Sequence, residues 1–425
     1  MKIKHVISTF IIAVLYFGLL VSPLFFTGLA KTGSPGEQEI PLKTQFPPHL
    51  GSSLKKYSQF LTTEFHSTHS VGAAVTIVYK DSIIFTRTMG VKKVNSPDII
   101  DEHTVFRLAS VSKGFTGVLA CLLEQQNILR LQDKVIDYLP GFKLKDSAHT
   151  AQLTIKQTLN HTTGLIPHSY DDLAEAGKSL EEIVNRLHEV KLYTHPGKLY
   201  SYQNVAFSLI SLIAREKTKK SYEELMHEKI FQPLDMKDAS VGLSSLTEME
   251  NLAYPHVRAR GNYATIPLNG KLYNIAPAAG INVSISDMGK WLLALLGNYE
   301  EVINSDLLDS IAKPGIQTPL KKLYTKYWKT VDEKYYGLGW RIYKFKGRDI
   351  VYHGGYVKGY SAEIAYSRED SVGIAFLQNS PNRLSLKSIP EFFTTYFSEI
   401  DTLSSKKPGE VSVLTQKDIL LNPNP

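Results

Sequence analysis

Ser110 and Lys113 stand three residues apart in Phe106-Arg107-Leu108-Ala109-Ser110-Val111-Ser112-Lys113. The apolar run from Phe115 to Leu123 follows at once and predicts a buried helix. A serine at the first turn of that helix lies near orphan backbone N–H groups and the positive end of the helix dipole. A lysine three residues on falls on the same face, about one turn away. Such a pair supplies a nucleophile and a proton acceptor for acyl transfer. The spacing by itself is common, since Ser52/Lys55, Ser53/Lys56 and Ser404/Lys407 repeat it. Ser110 is set apart by the buried helix after it and a hairpin pattern before it. The plainer alternative is a helix-capping serine beside a solvent-facing lysine.

Two further stretches carry polar groups suited to the same chemistry. Tyr202-Gln203-Asn204 leads into the apolar segment Val205 to Ile213 and holds the only Tyr-x-Asn of the chain. A loop tyrosine can relay protons, and an asparagine amide both donates and accepts. The alternative is a turn ahead of a helix with Asn204 as its cap. His353-Gly354-Gly355-Tyr356 ends a predicted strand. Paired glycines there let a substrate backbone approach a strand edge, or else form a bulge.

The elements that must position these residues come from both ends of the chain. A helix is expected from about Pro48 to His66, then a hairpin of Gly72 to Val78 and Ile83 to Met89 around Tyr79-Lys80-Asp81-Ser82. Residues from roughly 125 to 300 read as mainly helical, with the clearest late helix around Asp287 to Leu293. Strands return at Gly339 to Phe345, Asp349 to His353, Tyr360 to Tyr366 and Val372 to Leu377, before a helix from about Leu386 to Phe397. Strands at both ends with helices between them predict an α+β fold. One antiparallel sheet is flanked by helices, and an inserted, mainly helical lobe leaves a cleft at the junction. The expected domains are a leader at 1–30, a linker at 31–45, a catalytic domain at 46–400 and a free tail at 401–425.

Taken in order, Ser110-x-x-Lys113, Tyr202-x-Asn204 and His353-Gly354-Gly355 resemble the motifs of the serine β-lactamase and penicillin-binding protein superfamily, in particular its class C branch. The motifs are separated by 92 and 151 residues. Leu159-Asn160-His161-Thr162-Thr163-Gly164-Leu165, the Pro196-Gly197 to Tyr202 stretch, Phe231-Gln232-Pro233-Leu234 and Gly337-Leu338-Gly339-Trp340 are similar to the same branch. The resemblance covers about residues 50–398. It implies a β-lactamase/transpeptidase-like fold and an acyl-enzyme on Ser110 that water releases. Lys113 and Tyr202 would share the base role, Tyr202 passing a proton to the leaving group, while Asn204 orients the substrate amide or Lys113. The backbone N–H groups of Ser110 and Tyr356 would form the oxyanion hole. Free lysine titrates near ~10.4 and tyrosine near ~10, so a base at neutral pH needs burial or a nearby cation to lower its pKa.

The departure from the pattern is His353, where many relatives place a lysine that helps to hold a substrate carboxylate. A cation 4 Å from a carboxylate gains about 4 kcal/mol at an effective dielectric of 20, a neutral hydrogen bond about 1 kcal/mol. The expected activity is therefore hydrolysis of a D-aminoacyl ester or peptide in preference to a β-lactam. The alternatives are a penicillin-binding sensor that deacylates slowly and a catalytically silent, membrane-tethered scaffold.

Composition narrows the rest. The chain has 425 residues, 43% hydrophobic and 21% charged, which excludes a disordered or polytopic membrane protein. Its net charge of +7 comes without a basic block, so no nucleic-acid partner is expected. Cys121 is the single cysteine, which rules out internal disulfides and all-Cys metal sites; its apolar helix makes it a core thiol. No cofactor or metal is expected, and the partner is a small-molecule or peptide substrate. His161 reads as a structural residue, and Lys31-Thr32-Gly33 as chance. Lys2 and Lys4 precede the uncharged run Val6 to Ala30. That pattern suits either a cleaved secretory signal or a retained membrane anchor, and both put the body outside the cytoplasm.

Overall fold

Residues 38–40, 47–319, 326–328 and 331–404 are described by the computed structural model of the chain. The expected leader, most of the linker and the tail beyond Ser404 lie outside the described residues. Among the described residues no helix is long and apolar enough to cross a membrane. In chain order the strands are β1 (Gln38–Ile40), β2 (Gly72–Tyr79), β3 (Ser82–Gly90), β4 (Val105–Arg107), β5 (Ser240–Val241), β6 (His256–Ala259) and β7 (Asn262–Thr265). They continue with β8 (Ile281–Ser284), β9 (Ile316–Gln317), β10 (Val331–Tyr336), β11 (Arg341–Phe345), β12 (Arg348–Val357), β13 (Tyr360–Ser367) and β14 (Val372–Gln378).

The main sheet is antiparallel, in the order β1-β3-β2-β14-β13-β12-β11-β10-β9. β2 therefore meets β14, the last strand among the described residues, and the two ends of the domain close one sheet around everything between them. The central strands β2, β13 and β14 are buried almost throughout because both faces are covered. Successive side chains alternate between faces. Ala73, Val75 and Ile77 enter one core with α1 (Pro48–Ser67) and the helix Arg383–Ser404, whereas Ala74 and Val78 enter a larger core on the other face. That second core holds α2 (Ser112–Gln125) and the helix Ile285–Leu295. The rings of Phe115 and Trp291 stack there with centroids 4.0 Å apart.

Several boundaries differ from expectation. β1 falls inside the stretch read as linker and pairs with β3 at the sheet edge, Glu39 opposite Arg87. The helical middle also carries a small β4-β8-β5 sheet and a β6-β7 hairpin. Strands of two to four residues show too few alternations for a period-2 signal to emerge. The segment Val205 to Ile213 is broken at Ser208 into Asn204–Phe207 and Leu209–Thr218. The last helix runs past Phe397 to Ser404, into the expected tail. β12 continues to Val357, so His353 to Tyr356 lie within a strand rather than at its end.

Candidate active site

Ser110 sits in a single 3₁₀ turn, Ala109–Val111, that feeds directly into α2. β4 delivers the chain to this turn, held by its pairing to β8 through Arg107 and Asn282. Ala109 adopts φ +47°, a left-handed conformation that an alanine takes only where its surroundings enforce it. The corner swings the serine hydroxyl out of the strand direction and up against the first turn of the helix.

Four motif residues converge there. Tyr202 donates its phenolic O–H to Ser110 Oγ at 2.9 Å, and Lys113 Nζ lies 3.2 Å from the same oxygen. Nζ also reaches Asn204 Oδ1 at 2.8 Å and the Ala278 carbonyl at 2.9 Å. The orientation of the Asn204 amide follows from its other partner. Its Nδ2 donates to Asp171 Oδ2 at 2.7 Å, so Oδ1 must face Lys113. Two pure acceptors thus take two N–H bonds of the amine, and its third position faces the serine hydroxyl. Lys113 is fully buried, and desolvation holds its pKa well below the usual lysine value. The Asp171 charge opposes that shift, and the Arg341 charge reinforces it. Burial drives Tyr202 the other way, raising its pKa so that the phenol keeps its proton, with Arg341 and the Ser110 hydrogen bond opposing.

The loop bearing Tyr202 is clamped by His161. The His161 Nδ1 accepts from the Gln203 backbone N–H at 3.2 Å, its carbonyl accepts from Ser201 N–H at 2.7 Å, and its ring lies 4.4 Å from that of Tyr202. Burial lowers its pKa far below the ordinary histidine value, which fixes a neutral imidazole in the support structure.

The third motif forms the opposite wall. A β-carbon on Gly355 would fall 2.2 Å from the Leu108 carbonyl and 3.0 Å from the Ser110 nitrogen. Only glycine lets β12 come this close to the nucleophile turn. β12 pairs with β11 from Arg348 through Tyr352, and from His353 onward its pairs run only to β13. The second edge of the strand, beside Ser110, is thus left by β11. Gly354 points the other way, against Tyr352 and Glu363, and Tyr356 is two-thirds exposed at the rim. His353 corrects the expectation of a donor for substrate. Its ring is fully buried, with Nδ1 donating to the Gly354 carbonyl at 2.9 Å and Nε2 accepting from Tyr336 O–H at 3.1 Å. Burial also keeps it neutral, so it braces the strand and Tyr336.

Two residues escaped the sequence reading. Asp171, at the start of the short helix Asp171–Glu175, fixes Asn204 and also bonds His168 Nδ1 at 2.7 Å. Arg341 follows Gly337-Leu338-Gly339-Trp340, and its guanidinium lies 5.7 Å from the Tyr202 ring and 5.6 Å from the Tyr336 ring. This turn reaches the site because α2 presents Gly117, where a β-carbon would meet the Leu338 carbonyl at 2.1 Å. Arg341 had a signal in that motif, whereas Asp171 had none.

A helix-flanked antiparallel sheet with a serine, lysine and tyrosine at the head of a buried helix defines the penicillin-binding protein and β-lactamase class of serine hydrolase folds. The chain belongs to the β-lactamase family, whose family model matches residues 56–388. It is 27% identical over 324 residues to Beta-lactamase-like protein 4 of Dictyostelium discoideum, covering 71% of this chain and 55% of that protein. It is 23% identical over 321 residues to Protein flp of Staphylococcus aureus, covering 73% and 60%. The chain thus spans little more than half the length of these relatives. Among solved structures, the octameric penicillin-binding protein homologue from Pyrococcus abyssi matches with a TM-score of 0.70 at 22% identity, covering 84% of this chain and 78% of that one. The D-amino acid amidase from Ochrobactrum anthropi matches at 0.67 and 20%, covering 83% and 100%. These structural likenesses speak for the fold.

Proposed function

We propose that this chain hydrolyses an ester or amide by acyl transfer through Ser110, with D-aminoacyl esters or peptides preferred over β-lactams. The observation that carries the reading is the pair of contacts on one hydroxyl, 2.9 Å from the Tyr202 phenol and 3.2 Å from the Lys113 amine. Neutral Lys113 accepts the serine proton as Oγ attacks the carbonyl carbon and the C–O or C–N bond to the leaving group breaks. Tyr202, whose proton burial retains, delivers that proton to the departing atom and is reprotonated by the Lys113 ammonium, so that both are restored before water cleaves the acyl-serine ester. This separates roles that the two residues were expected to share. The N–H groups of Ser110 and Tyr356 are assigned the oxyanion, a contribution of about 3–4 kcal/mol per donor in comparable sites.

The preference against β-lactams rests on position 353, which offers neither a charge nor a free donor to a carboxylate beside the strand. The test pairs turnover with intact mass. Purified protein is offered p-nitrophenyl esters, D-alanine p-nitroanilide and nitrocefin. Expected are steady ester and D-aminoacyl hydrolysis, slow nitrocefin turnover and a covalent adduct on Ser110. Rapid nitrocefin hydrolysis would reverse the preference, stoichiometric acylation without turnover would mark a sensor, and no acylation at all would sink the proposal. Residues 6–30 are proposed as the secretory signal or anchor that places the domain outside the cytoplasm. Cell fractionation with an antibody to the domain checks this, and a cytosolic pool would refute it.

A further inference from the structure

A cavity of about 410 Å³ lies between β12 and the start of the helix Arg383–Ser404, and its wall includes Gly354, Gly355 and Tyr356 of the catalytic strand. Gly355 thus borders this cavity as well as the Ser110 turn. Arg341, half-buried, and Glu363, buried, both line the cavity, and neither has an oppositely charged side chain within 4.0 Å among the described residues; Arg341 Nη1 donates to the Tyr200 hydroxyl at 3.4 Å. Glu363 accepts the Tyr352 hydroxyl on Oε2, while Oε1 has no hydrogen bond from the described residues. The Ser361 hydroxyl on the same wall is buried without a partner. Trp328 closes one side as an apolar face, and Asn382 adds an amide.

A buried carboxyl and a half-buried guanidinium that share one cavity without an ion-pair partner among the described residues, beside an unpartnered Ser361 hydroxyl, are costly unless a ligand completes them. We infer that this cavity is a subsite for an arm of the substrate that carries a carboxylate for Arg341 and an ammonium for Glu363. The inference rests on the acyl-transfer reading for its purpose, since the arm would belong to the molecule whose carbonyl meets Ser110. The aromatic wall suits the methylene chain joining the two charges. Burial raises the Glu363 carboxyl to about 8, with the Tyr352 hydrogen bond and the Arg341 charge opposing. Glu363 is thus largely protonated at neutral pH, and an arriving ammonium draws that proton out. Tyr352, Tyr343 and Arg341 face it from the sheet, and Lys326 stands exposed at the rim.

The test is direct binding, so that it does not depend on turnover. Calorimetry on the intact protein compares ω-amino acids, from β-alanine to 6-aminohexanoate, with alkanoates of the same length. The amino acid of best-fitting length should bind about tenfold tighter than its alkanoate, and in Glu363→Gln the two should come within about twofold. Equal affinities in the wild-type protein overturn the inference and need no variant. Selectivity that survives in a folded Glu363→Gln protein, judged by circular dichroism, overturns it as well. So does an absence of binding by either series up to about 50 mM. Selective binding in a protein that never acylates would leave the subsite standing and remove only the hydrolase reading.

Discussion

β12 separates two polar regions built on opposite terms. On the Gly355 side, the functional atoms of Ser110, Lys113, Tyr202 and Asn204 are hydrogen-bonded to one another in one cluster. On the Gly354 side, Arg341, Ser361 and Glu363 line open space, the Ser361 hydroxyl without a partner and neither charge ion-paired among the described residues. Chemistry needs groups fixed before the substrate arrives, because reorganising dipoles during reaction raises the barrier. Selection needs groups that are paired only once the right ligand is present, because an unpaired buried group then penalises the wrong one. One strand serves both, by putting one glycine on each side.

The sharpest break of the reactive side is Ser110→Ala, expected to lose on the order of 10⁴–10⁶ in kcat and all covalent labelling. Stoichiometric labelling in that variant would move the nucleophile elsewhere. Next comes Lys113→Met, an apolar replacement of similar length at a fully buried position. Activity should fall by about 10²–10⁴, the range of a lost general base. The melting temperature should hold or rise, because a desolvated amine is removed. A large loss of stability would instead make the lysine a structural cation. Gly355→Ala is expected to cost about 10²–10³ in kcat by pushing β12 from the Ser110 turn and opening the oxyanion site. Unchanged kcat for a small ester would separate the strand from the reaction.

What the sequence made legible on each side follows from how local its causes are. Ser110 and Lys113 share one helix turn, so spacing and the apolar run after them were enough. Tyr202 and Asn204 could be named as a motif, but only packing reveals that Asp171 turns the amide toward Lys113. His353 was misread because its side of the strand depends on the pleat and on Tyr336 from β10, seventeen residues away. Glu363 and Ser361 belong to a strand that reads as core, and nothing in their spacing says that a cavity lies against them. The main sheet was foreseeable from long β-branched runs, whereas β1 and the short strands of the lobe depend on partners distant in sequence.

The smallest expected effect is the most discriminating, since it asks whether charge on the selecting side reaches the reactive one. Arg341 and Asp171 push the Lys113 amine in opposite directions, down and up respectively. The amine acts only when neutral, so kcat/KM falls as pH drops through its depressed pKa. Removing the cation in Arg341→Gln makes protonation easier, and this acid limb should move to higher pH. Asp171→Asn removes the opposing charge and should move it to lower pH. At the high-pH plateau each variant should lose only about fivefold, the worth of one ordinary hydrogen bond. A small p-nitrophenyl ester keeps the cavity out of the measurement. Shifts in the same direction would mean that Asp171 acts through the Asn204 amide rather than through its charge. No shift for Arg341→Gln would leave the two sides of β12 electrostatically independent.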